Sequence, residues 1–377
     1  MIITRNRDVI TANEDLEHLY TFHSFPVFMG TTVVSRAQDL LADMSFWISK
    51  ESGMIQLNPL LPLDVLYPES HGAGLVGGSW SLHHQRFAEF ISKFNPESVL
   101  EIGGAHGILA KNYQAIKQIP WSILEPNPTP VEGCEAKFIK GFFDDFFTVS
   151  QTPDAVVHSH VFEHIYDPAQ FVMNLAGFIQ TGKFVIFSVP NMRVMLERKF
   201  TNCLNFEHTV YLSDNFIEFL LHSNGFTVSK KVYYLDDHSI FYAAQKTEEK
   251  VAAQLPEGLY EKNKRLYLDY VEFHFSLVAS LNEKIASHSN ENVFLFGAHV
   301  QSQYLLGFGL NIQPIVAVLD NDKNKHGKRL YGTDKLVMCP TELSKLDSPL
   351  VIIRAGTFTN EISIQLKTIN PTAMLVA

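Results

Sequence analysis

Three groups of residues in this chain of 377 have the types and spacing to do chemistry. The first is Val99-Leu100-Glu101-Ile102-Gly103-Gly104-Ala105-His106-Gly107, a short apolar run that ends in a carboxylate and a glycine turn. Gly103, Gly104 and Gly107, with the small Ala105 between them, let the backbone turn tightly and approach a ligand, while Glu101 can accept hydrogen bonds from it. A carboxylate at that place suits a cationic ligand better than a pyrophosphate, which dinucleotide sites of similar shape hold at the next helix N-terminus. Glu125 ends the following apolar run in Leu124-Glu125-Pro126, where a carboxylate can accept from both hydroxyls of a ribose. Asp144 or Asp145, in Gly141-Phe142-Phe143-Asp144-Asp145, is placed to hold an adenine amino group, the alternative being an ordinary solvated loop acid. Glu101 and Glu125 could instead cap neighbouring helices.

The second group is His158-Ser159-His160-Val161-Phe162-Glu163-His164-Ile165. Two histidines four apart bind a metal only on a shared helical face with further ligands, and here a strand is expected to end near Ser159 or His160 with helix only beyond it. No metal site is therefore expected; Phe162-Glu163-His164-Ile165 instead resembles the V-L-E-H-I segment of class I methyltransferases, and the resemblance implies His160 as a wall of the cofactor pocket. The third group is Glu207-His208. Histidine is the side chain that is neutral yet basic near pH 7, so it can serve as a general base.

The elements that must position these groups follow from periodicity. Trp80 to Phe94 places Trp80, Leu82, Phe87, Phe90 and Ile91 close to helical spacing and stops at Asn95-Pro96, where a helix cannot easily continue. Short apolar runs then alternate with helical ones: Ser98 to Ile102, Trp121 to Leu124, Ala136 to Ile139, Ala155 to Ser159 and Phe184 to Val189. That alternation predicts a parallel sheet wrapped by helices. Phe226 to Leu235 and Ser239 to Gln245 flank Asp236-Asp237-His238 and predict a closing antiparallel hairpin. Pro256 to Ser287 is a helical connector, after which Asn292 to Phe296, Ile315 to Leu319 and Leu350 to Ile353 restart the strand-helix rhythm. The expected division is a small, loop-rich N-terminal module over 1–78, a ligand-binding α/β domain over 79–247, the connector over 248–288 and a second α/β domain over 289–377.

The spacing E-x-G-x-x-x-G at Glu101 to Gly107 and the segment Phe162-Glu163-His164-Ile165 resemble class I methyltransferases, whose sheets also end in an antiparallel hairpin. Asn205-Phe206-Glu207-His208-Thr209-Val210-Tyr211-Leu212-Ser213 is similar to the Y-H-E-H-x-x-Y-x-S segment of sugar C-methyltransferases that act on nucleotide-linked keto-deoxysugars. Ser49-Lys50-Glu51-Ser52-Gly53-Met54-Ile55-Gln56-Leu57 resembles that family's C-x-x-C-G-L-x-Q-L, and Asp320-Asn321-Asp322-Lys323-Asn324-Lys325-His326-Gly327-Lys328 its C-terminal D-D-N-P-x-K-Q-G-K. The resemblance implies a class I methyltransferase Rossmann-like domain followed by a second Rossmann-like unit. It implies S-adenosylmethionine as cofactor, released as S-adenosylhomocysteine, and a nucleotide-linked sugar as acceptor in sugar biosynthesis. It gives Glu207 and His208 the catalytic roles, with His208 as base, and puts Asn205, Tyr211, His238 and Tyr67 on the acceptor side. Three departures bear on this. Ser49 and Ser52 stand where the family has zinc-binding cysteines, and no first pair is found near Thr11 to Asp15, so no zinc is expected. Asn205 replaces a tyrosine, and Asp237-His238-Ser239 replaces Gly-Gly-Ser.

Composition limits the rest. A net charge of -10, with only short interrupted basic clusters such as Lys323 to Arg329, argues against nucleic acid. No apolar stretch reaches the ~18 residues of a membrane span, and Met1 to Asp8 lacks the apolar core of a signal peptide, so the expectation is a cytoplasmic monomer or weak homo-oligomer. Cys134, Cys203 and Cys339 are far apart and form no C-x-x-C pair, which predicts reduced, structural thiols. The competing readings are an oxygen or nitrogen methyltransferase on another small molecule, a nicotinamide oxidoreductase, and a non-catalytic nucleotide-sugar-binding protein. Phe296-Gly297-Ala298-His299 lacks the later glycines of a dinucleotide turn, which weakens the oxidoreductase.

Overall fold

The computed structural model describes residues 2–67, 78–248, 252–288 and 292–376. Seven strands form the central sheet: β1 (Val99–Ile102), β2 (Trp121–Glu125), β3 (Lys137–Lys140), β4 (Ala155–Ser159), β5 (Phe184–Pro190), β6 (Phe226–Tyr234) and β7 (Ser239–Lys246). Their order is β6-β7-β5-β4-β1-β2-β3. β1 to β5 run parallel, and β7 joins β5 antiparallel with Ser239 opposite Pro190. Because helices cover both faces of a parallel sheet, β1 and β5 are buried along nearly their whole length and read as continuous apolar runs rather than alternating ones.

The helix α1 (Gly78–Ser92) turns Phe87, Ala88 and Ile91 onto the sheet, where they meet Val99, Ile123, Val157 and Ile186, together with Leu109 and Tyr113 of α2 (Ile108–Gln114). Phe87 and Ile91 are fully buried, each stabilising by roughly 1.5–3 kcal/mol. Further along, α3 (Pro168–Phe178) starts at Asp167, whose side chain accepts from Gln170 N, with proline at the first turn. α4 (Met192–Glu197) and α5 (Asp214–Ser223) lead into the hairpin β6–β7, which closes the sheet as the run lengths predict.

The chain divides into two compact units. The first comprises Met1–Glu17, Trp47–Arg198 and Glu207–Lys264; the second comprises His18–Phe46, Lys199–Phe206 and Arg265–Ala377. The described part of residues 1–78, read from sequence as one N-terminal module, has pieces in both units. Nor are they mainly loop: Leu16–Pro26 and Leu41–Ser49 are strands of 11 and 9 residues, each crossing the division. Their polar residues mask the alternation, with His18, Thr21 and Ser45 bonded to one another in a row rather than spaced for one apolar face. The long helix α6 (Leu259–Ser287) begins in the first unit and continues in the second.

In the second unit β8 (Val293–Phe296), β9 (Ile315–Leu319), β10 (Val337–Met338), β11 (Leu350–Ile353) and β12 (Met374–Val376) form a parallel sheet of order β10-β9-β8-β11-β12. At the turn after β8, Ala298 N donates to Asp320 Oδ2 at 2.8 Å from the end of the adjacent strand.

Candidate functional site

The glycine turn after β1 is built by backbone geometry that side chains would block. Gly103, Ala105 and Gly107 have φ of 69°, 40° and 72°. A Cβ on Gly103 would lie 2.6 Å from Val161 Cγ2, and one on Gly104 would lie 2.7 Å from both the Glu101 carboxyl carbon and Ile123 Cγ2. Glycine here is a packing requirement as well as a conformational one. Beneath the turn, Glu101 is 3% exposed and its Oε2 accepts from Trp121 Nε1 at 2.8 Å. Burial pushes its carboxyl up to about 7, against the indole hydrogen bond and with the neighbouring Glu125 charge. Glu125, at the end of the next strand, accepts from Ala105 N on Oε2 and from Asn127 N on Oε1, both at 3.0 Å. It therefore ties the two loops that follow β1 and β2, and retains one lone pair on each oxygen for a ligand. Pro126 is half-buried beside it, whereas Asp144 sits in an exposed loop, its Oδ1 accepting from Phe146 N.

Along the same carboxyl edge lies a group of histidines. β4 ends at Ser159, His160 takes the left-handed φ of 53°, and a short 3₁₀ turn over Phe162–His164 follows. His160 and His164 consequently share no face. His160 Nε2 bonds Ser239 Oγ at 2.8 Å, and its Nδ1 is 3.1 Å from Oε1 of Glu163, a residue without solvent exposure. Ser239 Oγ also bonds His238 Nδ1 at 2.6 Å. His83, from α1, donates or accepts at Ser188 Oγ (2.9 Å) and stacks on His238 with 5.3 Å between rings, while Trp80 sets its edge against both His160 and His238 at 4.8 Å. Burial holds His83, His160 and His238 below the usual imidazole range, so they are neutral near pH 7. His164 belongs to a second group: its Nδ1 bonds Tyr67 Oη at 2.8 Å, and its ring meets that of His208 at 4.8 Å. Glu163, His164 and His208 bring possible ligand atoms within 4.8 Å of one another, as do His83, His160 and His238.

Glu207 and His208 are half-buried and follow the second unit's Lys199–Phe206 directly in sequence. Their position is set by what comes next. Thr209 O accepts from Leu57 N, and Tyr211 N donates to Ile55 O, both at 2.8 Å, so the segment lies antiparallel to the strand Ile55–Leu57. Arg5 fastens both: its guanidinium donates to Leu57 O, Thr209 O, Thr209 Oγ1 and Tyr166 O. Glu207 Oε2 is 3.9 Å from His164 Nδ1.

Of the residues singled out from sequence, Glu101, Gly103, Gly104, Ala105, Gly107 and Glu125 meet around one turn. Tyr67, His160, His164, Glu207, His208 and His238 stand in the two histidine groups of the first unit. Tyr211 is buried in the same unit, and Asn205 is buried in the second. Sequence reading missed Trp80, His83 and Arg5 as parts of the site. His83 was visible only as a polar residue on the apolar face of a helix, and Arg5 carried no signal, since its partners are backbone carbonyls remote in sequence.

Residues 78–231 match the model of a family described as Methyltransferase domain. Among solved structures, the chain is similar to the N-methyltransferase NodS from Bradyrhizobium japonicum WM9 with S-adenosyl-L-homocysteine, at 13% identity over 46% of this chain and 89% of that one, TM-score 0.36. It is also similar to magnesium protoporphyrin IX methyltransferase from Synechocystis PCC 6803 with bound SAH, at 16% identity over 47% and 90%, TM-score 0.36. A third is 1,6-didemethyltoxoflavin-N1-methyltransferase from Burkholderia thailandensis, at 12% identity over 44% and 78%, TM-score 0.36. No curated protein matches the chain. The strand order, the glycine turn and the family match make residues 78–231 a class I methyltransferase domain, an enzyme whose cofactor is S-adenosylmethionine. The residues present fit that cofactor: a left-handed glycine turn, a buried carboxyl beneath it and a second carboxylate one strand away. Among the described residues no helix is long and apolar enough to cross a membrane.

Proposed function

We propose that this enzyme methylates a nucleotide-linked keto sugar at the carbon beside its carbonyl, with His208 as the base. The observation that carries the reading is the fastening of Glu207-His208 beside His164 and Glu163, at the carboxyl edge where an open α/β sheet receives its ligands. In this reading the Glu101 to Gly107 turn receives the methionine part of the cofactor, and Glu125 and Pro126 its ribose. Asp144 and His160 complete the cofactor pocket. When bound, the cofactor supplies a methyl group activated by the positive charge on sulfur. His208 takes the proton from the acceptor carbon, Glu207 keeps the imidazole oriented and stabilises its charged form, and the carbon is left with the electron pair that forms the new bond. Tyr67, Asn205, Tyr211 and His238 are assigned to the acceptor.

Turnover of His208→Asn should fall by about 10² to 10⁴ while affinity for S-adenosylhomocysteine stays nearly unchanged, and deuterium exchange at the acceptor carbon should be lost. Near-normal turnover in this variant would remove His208 from the mechanism. A second reading, methylation of oxygen or nitrogen, is favoured by Asn205 and by Asp237-His238, polar groups where the resembling family has tyrosine and glycines. Methylation of an acceptor without an acidic carbon would select it.

A further inference from the structure

Four side chains of the first unit lie end to end in one polar row. Glu163 Oε1 is 3.1 Å from His160 Nδ1, His160 Nε2 is 2.8 Å from Ser239 Oγ, and Ser239 Oγ is 2.6 Å from His238 Nδ1. The 3.1 Å approach of His160 Nδ1 to Glu163 is a charge contact without hydrogen-bond alignment, so both carboxyl oxygens are buried without a hydrogen bond and transfer to them needs a turn of the His160 ring; Glu163 has no exposed surface. Such a carboxyl is costly to bury unless it serves some purpose beyond packing.

The protonation pattern of this chain is determined from one end to the other. A carboxylate 3.1 Å from His160 Nδ1 repels a lone pair there, so Nδ1 carries the hydrogen and Nε2 is an acceptor. Ser239 has one hydroxyl hydrogen, which then goes to His160 Nε2, leaving the serine oxygen to accept from His238. His238 must carry its hydrogen on Nδ1, and its Nε2 is left as a bare lone pair. When a proton arrives at His238 Nε2, Nδ1 releases its hydrogen to Ser239, Ser239 passes its own to His160 Nε2, and His160 Nδ1 gives its hydrogen to Glu163. Each N–H or O–H bond broken is matched by one formed, and the result is a neutral Glu163 and a His238 that donates from Nε2.

We propose that Glu163, His160, Ser239 and His238 are a proton relay, ending at His238 Nε2, that moves one proton between a bound acceptor and the buried Glu163 carboxyl. Glu163, His160 and Ser239 act through His238 and do not touch the acceptor themselves. The proposal rests on the reading of a keto acceptor only for what the relay serves, which is the carbonyl oxygen. That oxygen gains electron density as His208 removes the neighbouring proton; with Glu163 neutral, His238 carries its hydrogen on Nε2 and lends it to the oxygen as Glu163 gives its own proton to His160, and the same steps reverse when the ketone re-forms. Burial that raises Glu163 to about 7 leaves the carboxyl able to hold or release a proton near neutral pH.

The test needs no acceptor. Protein labelled with ¹⁵N-histidine is examined by long-range ¹H–¹⁵N correlation at pH 8, with His238→Gln and His160→Gln used to assign the rings. His238 and His160 should both be in the Nδ1–H form, the opposite of the form that free imidazole prefers. Glu163→Gln, which keeps shape and removes charge, should shift His238 toward Nε2–H although the two side chains are not in contact. Ser239→Ala should abolish that transmission, and Ser239→Thr should restore it. An Nε2–H form of His238 in the unaltered protein, or a His238 tautomer indifferent to Glu163→Gln, overturns the relay. So does a tetrahedral visible band on adding cobalt(II) that His83→Gln removes, because the histidines would then be metal ligands. If the relay holds while no keto sugar is turned over, the substrate reading fails and the relay stands.

Discussion

Glu101 and Glu125 end adjacent strands, yet their surroundings give them different chemistry. Glu101 is enclosed and sits near neutrality, so the unliganded fold favours its protonated form: that contribution to stability is present at acid pH and is lost as pH rises toward about 7. A cationic ammonium on the ligand reverses the preference. Affinity for S-adenosylhomocysteine should therefore rise as pH increases through about 7, by up to roughly tenfold per unit below it, and Glu101→Gln should flatten the curve. Calorimetry between pH 6 and 8 reads this directly, and a pH-independent affinity in the unaltered protein would separate Glu101 from the ligand. Glu125 already holds Ala105 N and Asn127 N. Removing it in Glu125→Ala should weaken the same ligand by about 1 to 3 kcal/mol, the cost of hydrogen bonds to a charged group. Unchanged affinity would leave Glu125 with the loop amides alone.

At the scale of elements, His208 is no better placed than the segment carrying it. That segment is neither helix nor strand, and Arg5 joins it to Ile55–Leu57 and Tyr166 with a guanidinium whose donors spread over four acceptors. Lysine offers a point charge and cannot span them. Arg5→Lys should lower the melting temperature by several degrees and cut turnover more than it changes cofactor affinity, since the glycine turn lies on other elements. Scanning calorimetry alongside turnover checks this, and parallel losses of turnover and cofactor affinity would contradict it. Ser49 and Ser52, where the resembling family has thiolates, make a different closure: Ser49 Oγ donates to Asp15 Oδ2, Ser52 N donates to Ser49 Oγ, and Met54 N to Ser52 Oγ. Hydroxyls and backbone amides satisfy one another there at 3.0 to 3.1 Å.

For the whole molecule, the glycine turn after β1 has the buried carboxyl of Glu101 beneath it, which among the described residues the turn after β8 lacks. A ligand that binds the folded form stabilises by mass action, ~2.7 kcal/mol at a hundred times its dissociation constant. S-adenosylhomocysteine at that excess should raise the melting temperature by several degrees, whereas NAD should leave it unchanged. A shift with NAD and none with S-adenosylhomocysteine would return the chain to the oxidoreductase reading.

Much of this was determined by the sequence alone. Four of the five parallel strands are largely buried, so each is a short, mostly apolar run, and all five, with the more exposed Lys137–Lys140, were legible to within a residue or two, as was the hairpin around Asp236-Asp237-His238. The glycine turn and its two carboxylates were legible because a left-handed backbone packed closely against its neighbours requires glycine at particular places in a contiguous segment. Tertiary structure alone decided what depends on residues remote along the chain. Leu16–Pro26 and Leu41–Ser49 pair beyond the range of local pattern, and the two compact units take separate pieces of the same N-terminal stretch. The meeting of His83, His160, Glu163 and His238 through Ser188 and Ser239 is likewise a property of strand order. β4, β5 and β7 are neighbours in space, and only that adjacency brings the scattered histidines together, His160 and His238 on Ser239 and His83 on Ser188.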